Sequence, residues 1–417
     1  MLSFPIFHDV ARAHGATTIP APRNAIDSSE MPWGGAMPKV VPFEPWCPFP
    51  SASAAASDPN RNLTGANGQA CFWFSNGCAI GCPTCDGSTR GPIPSFECVA
   101  GQDPKSCDLV PTGRPIHFGP KAPICGNPLP ATICDPSYRT VNTGAECGAA
   151  DDYYYYSPWR RPGSAPVLDP CGIAGGRVPG QGAGAFGAEY VNTTHSKLGD
   201  RGSETLPYTP SGTQWKAGEV VEVAWTLQAN HGGGYSYRLC PNTSAPFVTE
   251  ACFQAHPLDF DGTHSTFRWG GVGGKTTDYV RRTVSKGTTP AGSMWAMNPI
   301  PRAWKTAAGD WFDGWPNGTA EAATARRMAR SGTPPLGNEI GSKSNHLQTG
   351  YGFQPFCEDT PEHSCTSEWG PYNLEIVDRV VIPADLKAGG YVLGFRWDCE
   401  ESNQIWQSCS DVEIVAA

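Results

Sequence analysis

Charge is scarce in this chain: Asp, Glu, Lys and Arg make up only 17% of its 417 residues, and the net charge is −9. That balance excludes the basic patch or stripe that nucleic-acid binding needs, so no nucleic-acid partner is expected. There is no run of 18 or more apolar residues, so no membrane-spanning helix is expected either. Common catalytic signatures are missing as well. The chain has no HExxH and no GxSxG. Gly182 to Gly187 spells GxGxxG, but it follows a Gly/Pro tract rather than a strand, so the dinucleotide context fails. In GGVGGKTT the place of the first Walker glycine is taken by Trp269. Strong helix signals are also few; Thr319 to Arg330, TAEAATARRMAR, is the one good candidate, its arginines read as a solvated face.

What the chain has in excess is turn-forming and cross-linking residues. Gly (49) and Pro (41) supply about a fifth of it, which favours short extended segments joined by loops. Seventeen cysteines point to an oxidising compartment, hence to secretion, and the odd count leaves one thiol outside any intrachain pairing. Sequons at Asn62, Asn192, Asn242 and Asn317 are compatible with that compartment. Cys78, Cys82 and Cys85 have the spacing of half a zinc site, but in so cysteine-dense a segment disulfides are the simpler assignment.

The chain divides into zones. Residues 1–13 end in Ala11-Arg12-Ala13, the small-x-small pattern of a signal-peptidase site, and read as the remnant of a leader whose basic start is missing; an ordinary cytosolic start is the alternative. Residues 14–417 form one β domain, within which 47–200 hold eleven of the seventeen cysteines and read as a stapled, loop-dominated insertion. The β signal is clearest from about residue 205. Val221, Val223, Trp225 and Leu227 alternate with Glu222, Ala224 and Thr226, a strand with one buried face that stops before Gly232-Gly233-Gly234. Tyr391, Leu393, Phe395 and Trp397 alternate in the same way, and NQIWQSCSDVEIV forms the last strand. The fold class is therefore all-β, an antiparallel sandwich.

Two histidines stand out. Cleavage after Ala13 leaves His14 first, with a free α-amine beside its imidazole. That amine loses its proton near neutral pH at small cost, so amine and imidazole can chelate one ion. A second imidazole makes three nitrogens, a set that suits Cu(II) in tetragonal geometry. His231, just past a well-defined strand in a Gly-rich loop, is the best second ligand. The alternative is a surface histidine and a loop histidine without metal.

HGATTIPAPRNAID, WTLQANHGGGYSYRLC and VIPADLKAGGYVLGFRWDCEESNQIWQSCSDVEI together resemble the lytic polysaccharide monooxygenases, over roughly half the chain. The resemblance implies an immunoglobulin-like sandwich and a secreted monomer. It implies one copper ion held by His14 and His231, and an external electron donor with hydrogen peroxide or dioxygen as co-substrate. The implied activity is oxidative cleavage of glycosidic bonds in a structural polysaccharide such as chitin or cellulose. It also implies outer roles for Gln404, beside the bound oxygen species, and for Glu400 in the same shell. Trp406 stands where the family places an axial Tyr or Phe; an indole offers no oxygen ligand and would only shield that face, and a plain core aromatic is the other assignment. For the sugar surface the candidates are Tyr153, Tyr154, Tyr155, Tyr156, Trp159 and Arg160, and the similar Trp311 to Trp315 patch. Aromatic faces stack on pyranose C–H and arginine bonds hydroxyls; packing of the same rings over the insertion is the alternative. Two other functions stay open: a non-catalytic polysaccharide- or copper-binding protein of this fold, and a secreted hydrolase, whose paired carboxylates have no sequence spacing to find.

Overall fold

The structure is a computed structural model that describes residues 14–26, 70–76, 158–160, 162–176, 190, 192–229, 232–242, 248–269, 273, 275–285, 287–299, 304–305, 311–312, 374–399 and 404–416. Its strands, in chain order, begin with β1 (His14–Ile19), β2 (Trp73–Asn76), β3 (Ile173–Ala174), β4 (Pro210–Lys216), β5 (Val220–Ala229), β6 (Gly234–Pro241), β7 (Asp259–Phe260) and β8 (His264–Trp269). They continue with β9 (Lys275–Val280), β10 (Thr283–Val284), β11 (Trp295–Met297), β12 (Trp304–Lys305), β13 (Trp311–Phe312), β14 (Leu374–Val381), β15 (Gly389–Asp398) and β16 (Gln404–Val415).

Two sheets carry the fold. The first has the order β1-β5-β14-β8-β9, with β7 also on β14; the second runs β10-β11-β6-β15-β16-β2-β3. Pairings are antiparallel among the described residues except that β4 joins the far half of β16 in parallel. The alternating residues of β5 and β15 meet between the sheets. Trp225 packs on Phe395 and on Trp397, each with ring centroids 5.2 Å apart, and Val223, Ile376, Leu393 and Trp406 are buried beside them. The expectation of an all-β sandwich is met.

One expectation needs correcting in part. The outer face of β5 is exposed at Glu222 but buried at Ala224 and Thr226, and that of β15 is buried at Val392, Arg396 and Asp398. Helix Glu250–Ala255 lies over the outer face of β15. It is capped by Thr249, whose hydroxyl accepts from the Cys252 amide at 3.2 Å, and tied to β6 by the Cys240–Cys252 disulfide. Gly394 leaves the room that Phe253 fills, since a Cβ there would come within 2.7 Å of its ring. The buried charges under this cover are paired. Arg396 donates to Asp398 at 2.7 Å and to Glu250 at 2.8 Å. Burial pushes the Glu250 carboxyl up, but the Arg238 and Arg396 guanidiniums beside it pull it further down, below its usual range.

The described parts of 47–200 are built into the sandwich. β2 extends the second sheet beside β16, Phe74 stacks on Trp406 at 4.3 Å, and Cys171 is bonded to Cys409 on β16. The helix candidate at 319–330 lies outside the described residues.

Candidate functional site

β1 owes its place to the residues that follow it. Arg23 grips Asp411 on β16 with two hydrogen bonds, at 2.6 and 2.5 Å, and both side chains are buried. Asn24 accepts from the Cys409 amide at 2.8 Å and donates to the Cys171 carbonyl at 2.8 Å. The Ser410 hydroxyl donates to the Pro20 carbonyl at 2.9 Å. These bonds are what the PAPRNA stretch after the strand does: it clamps β1 across the end of the sandwich, while β1 itself pairs with β5 in the other sheet.

The register of that pairing sets His14 opposite Ala229. Gly15 stands opposite Leu227, so the register shifts by one between His14 and Gly15 and leaves Gln228 as the extra residue on β5. His231 lies outside the described residues, two positions after Ala229 in the sequence. The chain is described again from Gly232. Gly232 and Gly233 both have positive φ, +59° and +77°, the left-handed conformation glycine adopts without a steric penalty. The Gly232 carbonyl accepts from the Trp397 indole at 2.8 Å, and the Gly233 carbonyl accepts from the Asn298 amide at 2.8 Å.

Side chains i and i+2 of a strand share a face, so Gln404, Trp406 and Ser408 line one side of β16. All three are buried, and the Thr17 amide on β1 donates to Ser408 Oγ at 3.4 Å. Trp406 pairs across the strands with Trp397 and is wholly enclosed. That enclosure is common to a shield and to a core aromatic.

Of the other site candidates, Glu400 and Tyr153 to Tyr156 lie outside the described residues. Arg160 closes the short turn Pro158–Arg160. Trp159 is corrected. It is only 3% exposed, packed with Val284, Trp295 and Met297 and pressed onto Gly234, where a Cβ would meet its ring at 2.4 Å. A ring that stacks on sugar needs an open face, and this one fills a gap over the second sheet. Trp311 and Phe312 pair with Trp304 and Lys305 as β13 and β12; Trp315 lies outside the described residues.

Sequence reasoning treated Trp397 as one core residue among several. The signal that would have drawn attention to its neighbours was present: each chosen histidine is followed at once by glycine, His14-Gly15 and His231-Gly232, and both glycines touch Trp397.

Among the described residues no group of three or more His, Cys, Asp or Glu is arranged to hold a metal ion, and no helix is long and apolar enough to cross a membrane. The donors proposed from sequence, two imidazoles and an amine, fit copper by their chemistry. The β1–β5 register brings the His14 backbone to the end of β5 from which the chain continues to His231.

No protein-family model and no curated protein matches the chain. Solved structures do overlap it. A lytic polysaccharide monooxygenase AA15 from Thermobia domestica is 14% identical, at a TM-score of 0.20, over 49% of this chain and 62% of that one. A chitin-binding domain from Burkholderia pseudomallei is 10% identical, at 0.21, over 49% and 56%. A cellulose-active lytic polysaccharide monooxygenase solved with copper is 10% identical, at 0.27, over 97% and 100%. The chain thus spans less than two thirds of the first two. Overlaps this slight leave function to be argued from the chain's own residues.

Proposed function

We propose that the protein is a secreted, monomeric, copper-dependent polysaccharide monooxygenase with His14 and His231 as its metal ligands. The observation that carries this is the pairing of His14 with Ala229 at the β5 end. His14, 217 positions before His231 in sequence, thereby lies beside the end of β5, two residues before His231 in the chain. After cleavage at Ala13, the α-amine and imidazole of His14 and the imidazole of His231 supply three nitrogens. Copper held there would supply one-electron redox chemistry for oxidising a sugar C–H bond, with peroxide or dioxygen as oxidant and an external electron donor. Trp406 and Gln404, on the buried face of β16, keep that side of the site closed to bulk water. Chitin and cellulose are the substrate classes, and Tyr153 to Tyr156 and the Trp311 patch are the sugar-stacking candidates that remain.

The test is a copper titration with Cu(II) EPR on protein carrying His14 at its N-terminus. A single tight site with a three-nitrogen axial spectrum, lost in His14→Ala and in His231→Ala, is expected, together with peroxide-dependent release of oxidised oligosaccharides. Weak binding unchanged by either substitution would overturn the proposal. A second reading, binding without turnover, is favoured by Trp406, whose indole offers no oxygen ligand; copper binding with no oxidised product would select it.

A further inference from the structure

We infer that Trp397 is the positioning residue of the two histidines, a single indole that fixes the backbone beside each; this rests on the copper reading above. Trp397 sits on β15, wholly buried, and both of its contacts at this edge are to the residue that follows a candidate ligand. Its Nε1 donates to the Gly232 carbonyl at 2.8 Å. Its six-membered ring lies against Gly15: a Cβ built there would stand 3.0 Å from Cε3 and Cζ3. Gly15 is thus a site of close approach, where even a methyl group would displace the ring.

The indole can act as a reference point because it is itself held. Trp225 packs on it from the facing sheet at 5.2 Å, and its strand is bonded on both sides, to Tyr235 of β6 and to Trp406 of β16. β1, by contrast, pairs with a strand on one side only among the described residues and meets β5 with a register shift at its start, and Gly232-Gly233 is a left-handed glycine pair whose sequence imposes little conformational preference. Consecutive Cα atoms lie about 3.8 Å apart across a trans peptide, so fixing Gly15 and Gly232 against one rigid ring restricts where each preceding residue starts. A metal that needs two imidazoles at a set separation gains affinity from such pre-organisation, and partners of this outer kind typically change metal affinity by roughly 10–100-fold when removed.

The experiment compares Cu(II) affinity by calorimetry and Cu(II) EPR for the full secreted protein and three variants. Trp397→Phe keeps a ring but deletes the bond to Gly232. Gly15→Ala keeps the bond but pushes the ring. Phe267→Leu is the control, because Phe267 is buried in the same core and stacks on Tyr279 rather than on Trp397. The expected result is a loss of copper affinity of roughly tenfold or more and an altered hyperfine pattern in the first two, with both readouts unchanged in Phe267→Leu whatever its effect on melting. Wild-type affinity and spectrum in Trp397→Phe, or in Gly15→Ala should the first variant not fold, would overturn the inference while leaving the copper site intact. An equal change in Phe267→Leu would also overturn it, by reducing Trp397 to general packing. If the wild type itself binds no copper tightly, the copper reading fails first and this inference with it.

Discussion

Replacing Asp169 by asparagine gives a quantitative test of the buried polar layer under the Cys171–Cys409 disulfide. Asp169 accepts from the Cys171 amide at 2.8 Å, from the Ser203 amide at 3.0 Å, and from the Ser203 hydroxyl. Those bonds favour the carboxylate, but burial outweighs them and pushes its pKa from 3.8 up to about 6. A raised carboxyl pKa means that the folded protein holds the proton more tightly than the unfolded chain. Its contribution to stability is therefore complete below pH 3.8 and is lost as pH rises through about 6. At about 1.4 kcal/mol per pH unit the gap corresponds to about 3 kcal/mol. The asparagine side chain would keep one acceptor oxygen for the two amides and offer its NH2 to the Ser203 oxygen, without a titration. Urea denaturation of both proteins from about pH 4 to about pH 7.5 should show the wild type gaining about 2.5 kcal/mol relative to Asp169→Asn on acidification, with the change centred between about 4 and 6. A flat difference, or a wild type that gains on the alkaline side, would refute the assignment.

Arg23→Ala leaves the buried Asp411 carboxylate with the Thr209 amide but no cation and should cost about 3–5 kcal/mol in chemical denaturation, whereas joint replacement by Met and Leu should recover most of that. The double variant Cys171→Ala/Cys409→Ala, which removes a cross-link over 238 residues, should lose about 2–5 kcal/mol by the same measurement. Trp406→Ala empties a fully enclosed site stacked on Phe74 and should cost about 3–5 kcal/mol; a cost under about 1 kcal/mol would mean that the site is open to solvent.

The strands legible in the sequence were those in which period-two alternation runs for about seven residues or more. β5 and β15 are of that kind, and their inward residues, Val223, Trp225, Leu393, Phe395 and Trp397, form the core. What alternation does not report is a second cover. Arg396 and Asp398 looked like solvent-facing positions because they are charged, yet they are enclosed with Glu250 beneath a helix too short to have a periodicity of its own. β2, four residues in a cysteine-rich stretch, was similarly illegible. Trp159 shows the converse: an aromatic beside arginines and a proline reads as a sugar platform, while its actual partner, Gly234, is 75 positions away. Of the proposed site, the two histidines come from donor chemistry and resemblance alone. The ring between their neighbours was not legible, because only the pairing of β1 with β5 and of β6 with β15 brings Gly15 and Gly232 to one tryptophan.

The clamp on β1 has a temporal side. Arg23 and Asp411 are separated by 388 residues. At about 5–20 residues per second, synthesis of that interval takes about 20–80 seconds. Through all of it the segment that follows His14 has no Asp411 or Ser410 to hold and no Cys409 amide to receive. β1 can pair with β5 as soon as that strand is made, but its clamp closes only when β16 arrives.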